Sequence, residues 1–98
     1  MDDIVITFYN NDSVIVTKYV VPVPEGAAVC IEKLMLQCWN KMPLPAMCAV
    51  TYACYVWGDI PLINVYDRTP SKRYGWTWVN CWQPEDPAVI AELNRRRI

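Results

Sequence analysis

Ten carboxylates, five cysteines and no histidine are the chemical resources of this 98-residue chain. Without histidine there is no ready general base near neutral pH, no Cys-His or Ser-His pair and no imidazole for a metal. Cys30, Cys38, Cys48, Cys54 and Cys81 contain no CxxC half-site, so the spacing of a structural zinc centre is missing. Cys48 and Cys54 share one face of an extended strand, where small core residues are the plainer reading. An odd number of thiols with no close pair does not make a disulfide framework. The three glycines, Gly26, Gly58 and Gly75, are too dispersed for a phosphate-cradling loop. Asp59 and Asp67 are the carboxylates placed to act as an acid–base pair, but turn and strand-end chemistry accounts for both. No catalytic residue, cofactor or metal is expected.

What the chain carries in excess is aromatic surface, with five Trp and six Tyr. Tyr55, Trp57, Tyr66, Trp76, Trp78 and Trp82 come from three successive candidate strands. Large aromatics anchor protein interfaces, because they bury much area at little entropy cost; they also stack on unpaired bases. Beside them lie Arg68, Lys72 and Arg73, and the chain ends with Arg95, Arg96 and Arg97. A basic loop and a helix cap are the plain readings of these groups. Next to exposed tryptophan, the same charges suit an acidic partner or a phosphate backbone.

The stretch from Met47 to Trp82 must position these side chains, and it reads as a three-stranded meander. Ala49 to Trp57 is rich in β-branched and aromatic residues. Gly58-Asp59 fits a two-residue turn with glycine at a left-handed position. Ile60 to Tyr66 returns, with Trp57 facing Ile60, Tyr55 facing Leu62 and Ala53 facing Asn64. This register puts Val50, Tyr52, Cys54, Val56, Ile63 and Val65 on one face, expected to pack under a helix. Thr51, Ala53, Tyr55, Trp57, Ile60, Leu62, Asn64 and Tyr66 form the other, mixed face, expected to be exposed and to meet a partner. Residues 68–73 read as a polar loop, and Tyr74 to Trp82 as the third strand. The register of that strand is open, and a slip of one residue moves Trp76 and Trp78 to the opposite face. A helix over Pro45 to Trp57 is the competing reading of the first strand.

Ile4 to Tyr9 and Val14 to Val21 form a hairpin around the turn residues Asn10-Asn11-Asp12-Ser13. Ile4, Ile6 and Phe8 share one face, and Pro22 and Pro24 are expected to end the second strand. Gly26 to Met42 reads as a helix burying Ala27, Ile31, Leu34, Cys38 and Met42, with Met35 beside them. Leu36 and Trp39 lie off that stripe and give the helix a second apolar flank. Residues 42–45 form a stiff connector. Asp86 caps a last helix, with Pro87 at its first position, running to about Arg96.

The order ββαβββα predicts one α+β domain over residues 1–98: an antiparallel sheet, made of the N-terminal hairpin and the meander, with two helices packed on it. The net charge of −1 supplies no global field toward nucleic acid or membrane. No basic and apolar leader begins the sequence, and no apolar run reaches the ~18 residues of a membrane span. Free thiols then suit a reducing, cytoplasmic compartment. The leading functional reading is a small non-enzymatic protein-binding module, of the inhibitor or adaptor type that viruses and mobile elements encode. It would cover a partner, or a second copy of itself, through Tyr55, Trp57, Tyr66, Arg68, Lys72, Arg73, Trp76 and Trp78. Single-stranded nucleic-acid binding through the Trp and Arg side chains is the alternative. An enzyme working through a carboxylate or a thiol is the third reading, with no acid–base constellation to support it.

Overall fold

β1 (Asp2–Tyr9) is the first strand in the chain and an interior strand of the sheet. The computed structural model describes residues 2–24, 26–58, 60–73, 75–82 and 87, with backbone alone for 2, 60–64 and 80–82. Ile4, Ile6 and Phe8 are buried together, as the two-residue period of a strand requires. β2 (Ile15–Val23) pairs with β1 through a turn that Asn10 organises. The Asn10 side-chain oxygen accepts from the Asp12 amide at 2.9 Å and the Val14 amide at 3.0 Å. Ser13 takes up the left-handed conformation, with φ of 59°. The strand continues through Pro22, where the sequence predicted a stop. β2 lies at the edge of the sheet, and an edge strand tolerates a residue that cannot donate outward.

α1 (Ile31–Lys41) starts five residues later than predicted. Gly26, at φ of 75°, and a bond from the Ala27 amide to Pro24 O make a turn instead, and Cys30 is still extended. Ile31, Met35 and Cys38 form the buried face. Leu34, expected at its centre, is half-buried, and Leu36 is exposed. A second helix, α2 (Leu44–Ala49), occupies part of the expected connector and the start of the expected strand. Pro45 lies in its first turn, where the missing N–H breaks no helical bond. The two competing readings of this stretch are thus each partly right: a short helix comes first, and β3 (Tyr52–Trp57) follows.

β4 (Ile60–Ser71) and β5 (Gly75–Trp82) complete a five-stranded antiparallel sheet in the order β2-β1-β3-β4-β5. With two helices between β2 and β3, the fold is α+β, as predicted. The helix expected after Asp86 lies, but for Pro87, outside the described residues. Gly58 adopts φ of 55° and Trp57 faces Ile60, as the turn chemistry predicted. Beyond that pair the register shifts by two: Tyr55 faces Asn64 and Ala53 faces Tyr66. Pro61 falls in the irregular stretch, where a residue without an N–H is best tolerated. A shift of two keeps Ala53, Tyr55, Trp57 and Tyr66 on one face and Tyr52, Cys54, Val56 and Val65 on the other, as predicted.

Which face of the strands turns inward is reversed, although Val50, just before β3, is buried as expected. Ala53, Tyr55, Trp57 and Tyr66 are at most 4% exposed and join Ile4, Ile6, Phe8, Ile31, Met35 and Cys38 in one core. Tyr52, Cys54 and Val65 are only half-buried, and Val56 is exposed. Two physical causes combine. Aromatics fill the depth between sheet and helices, each burying roughly 150–250 Å². Valine on the open face reflects strand propensity, which β-branched residues satisfy with or without burial.

Candidate functional site

The burial of Tyr55, Trp57 and Tyr66 removes three of the eight proposed contact residues from the surface. Tyr55 and Tyr66 lie with ring centroids 6.3 Å apart, and the Trp57 backbone pairs with both Ile4 and Ile60. These residues are core. Of the remaining five, Arg68, Trp76 and Trp78 come together on one face of the β4–β5 hairpin, and Lys72 and Arg73 lie in the turn at its end.

The hairpin is longer than the sequence suggested, and that extension builds the site. Residues 68–71, expected in a loop, continue β4 beyond the end of β3. The Arg68 amide still donates to Thr51 O at 2.9 Å, and from there on, among the described residues, β4 is flanked by β5 alone. Pro70 is acceptable in this edge-like part. Arg68 faces Trp78 and Pro70 faces Trp76. This decides the register left open by the sequence: both tryptophans share a face with Tyr66 and Arg68.

Arg68 ties the arrangement together. One guanidinium nitrogen, Nη1, donates to Met47 O at 2.9 Å and to Val50 O at 3.0 Å. Those carbonyls lie at the C-terminal end of α2, where a cation also meets the negative end of the helix dipole. The guanidinium carbon lies 4.0 Å over the centroid of Trp76 and 5.2 Å from that of Trp39. Burial draws the Arg68 pKa down from the ordinary arginine value, and Cys48 opposes the shift. Arginine stays protonated regardless.

Behind Arg68 is an aromatic wall. Trp39 and Trp78 meet edge to face at 5.2 Å, and each packs on Phe8, at 5.9 and 6.1 Å. Trp39 was not among the expected site residues, although its place off the helix stripe had already implied a second apolar contact. Trp78 is half-buried, while Trp76 is 50% exposed. Lys72 and Arg73, in the turn that follows β4, are exposed.

Comparison with known protein families, curated proteins and solved structures gives no match. Function therefore has to be argued from the side chains. Among the described residues, no three Cys, Asp or Glu side chains gather as metal ligands would. Cys30, Cys38 and Cys48 are free thiols. Burial pushes the Cys38 thiol pKa up, with Lys41 opposing. Among the described residues no helix is long and apolar enough to cross a membrane.

Proposed function

We propose that this protein is a small binding module, of inhibitor or adaptor type, that performs no chemistry of its own. It docks on an acidic protein surface through Trp76 and the basic turn of Lys72 and Arg73, in a reducing, cytoplasmic compartment. The observation that carries this reading is Trp76: half exposed, yet held over the Arg68 guanidinium at 4.0 Å. An exposed side chain normally loses rotamer freedom on binding. Trp76 is already restrained by its cation–π contact, so a partner gains a large apolar anchor at reduced entropic cost.

The experiment compares the wild type with Trp76→Ala as bait, followed by titration of each purified partner. Trp76→Ala is expected to weaken the complex by about 2 kcal/mol or more, roughly thirtyfold in Kd, without moving the melting midpoint. Partners that bind both baits equally well would overturn the reading. The part of the Trp76 ring left to solvent, on a hairpin whose turn carries Lys72 and Arg73, also favours a second reading, base stacking by single-stranded nucleic acid. Quenching of tryptophan fluorescence by an oligonucleotide, weakening steeply with salt, would select it.

A further inference from the structure

The two edges of the sheet are built differently. β2, at one edge, carries Lys18 along its length and Pro22 near its end. A lysine and a proline are devices that keep a foreign strand from pairing with an edge. β5, at the other edge among the described residues, has neither. Its eight residues, Gly-Trp-Thr-Trp-Val-Asn-Cys-Trp, include no charge and no proline. Tryptophan, threonine and valine are strong strand formers. The strand is also accessible: Gly75, Trp76, Thr77 and Val79 are exposed. A Cβ built on Gly75 would meet nothing within 4 Å. A strand of this length with one side unpaired among the described residues is a template for another strand.

We propose that two copies of this chain pair antiparallel through β5, joining their sheets into one. A second copy suits this edge for reasons that lie in β5 itself. The strand is uncharged, so its own copy brings no like-charge repulsion. Antiparallel pairing of a strand with itself is closed by a two-fold axis, so growth stops at the dimer. The guarded β2 edge does not extend it. Trp76 and Val79 sit on opposite faces of β5, and each gains apolar neighbours from the second copy. Backbone groups carry this contact, so the oligomeric state tests it apart from the partner proposed for Trp76.

Sedimentation equilibrium over a dilution series tests it, on the full chain and on a Thr77→Lys/Val79→Lys double variant. The wild type is expected to be a dimer that dissociates on dilution, and the double variant to dimerise at least tenfold more weakly. Amide exchange within 75–82 should slow in the wild type as concentration rises. That second measurement decides the matter if the double variant fails to fold. A wild type that stays monomeric throughout overturns the proposal. So does a dimer that the two lysines leave unchanged, or one whose β5 amides exchange at a rate independent of concentration.

Discussion

Arg68 shows how one side chain can couple elements that are remote in sequence. It sits on β4, caps the C-terminal carbonyls of α2 and lies against Trp39 of α1 and Trp76 of β5. Hydrogen bonds from a charged donor contribute about 1.5–3 kcal/mol each, and part-buried carbonyls left without a donor add a desolvation cost. Arg68→Ala is therefore expected to lower stability by about 2–3 kcal/mol, read as a drop in the urea midpoint at unchanged m-value. Arg68→Lys should recover less than half of that, because an ammonium lacks the planar fork and stacks less well. Full recovery by lysine would mean that the charge alone matters. Two further residues govern the response to alkali. Burial raises the pKa of Cys38, and that of Tyr9 rises through burial and through Cys54 and Tyr52. Both groups hold their protons more tightly when folded. Their contribution to stability is present below the unfolded pKa and lost as pH rises through the folded one. The melting midpoint should fall above about pH 8.5, the ordinary thiol pKa, and more steeply above about 10 as Tyr9 joins. Cys38→Ala should remove the lower part of that slope; an unchanged slope in the variant would rule out Cys38 as its source.

At the scale of elements, the features set by local chemistry could be read in the sequence, and those set by competition between neighbours could not. Asn10 and Gly58 made two of the three hairpin turns legible, since a side-chain acceptor and a tolerance for positive φ are properties of single residues. Gly58→Ala is expected to cost about 1 kcal/mol, because alanine at φ of 55° is strained. A neutral outcome in thermal unfolding would mean that the turn relaxes. The helix boundaries were less legible. The apolar spacing from Ala27 onward continues the helical period, but Pro24 and Gly26 hold the backbone in a turn that periodicity does not register. The extension of β4 was hidden for a different reason. Arg68, Thr69, Pro70 and Ser71 have loop composition, yet pairing with β5 keeps them extended. That extension carries Arg68 to α2 and Trp76 onto Arg68, so the candidate site was only partly legible. Its residues were named, apart from Trp39, but the cation–π contact and the helix cap depend on a register that no local signal fixes.

For the whole molecule, the informative reversal is the orientation of the sheet. Alternation grouped Tyr52 to Trp57, Val65 and Tyr66 correctly by face, but alternation is symmetric under exchange of the two faces. Composition was the only guide to the inward one, and the more uniformly apolar set was the wrong choice. Volume decides instead. A sheet covered by one helix of eleven residues and one of six leaves a deep interior, and Phe8, Tyr55, Trp57 and Tyr66 fill it. The opposite face keeps a thinner covering of valine with the Tyr9–Tyr52 stack, whose ring centroids lie 4.8 Å apart. Two neighbouring residues on β3 test this directly. Val56 is 36% exposed and Trp57 is 1% exposed, although both are large and apolar. Val56→Thr keeps the β-branched shape and should change stability by no more than about 0.5 kcal/mol, as surface substitutions usually do. Trp57→Ala removes a fully enclosed ring and should cost about 3–5 kcal/mol, enough to unfold a domain of this size in part or entirely at ambient temperature. Chemical denaturation of the two variants beside the wild type reads both effects. Equal losses would mean that both faces of the sheet are sealed. A large loss at Val56 with little at Trp57 would restore the orientation that composition alone suggests.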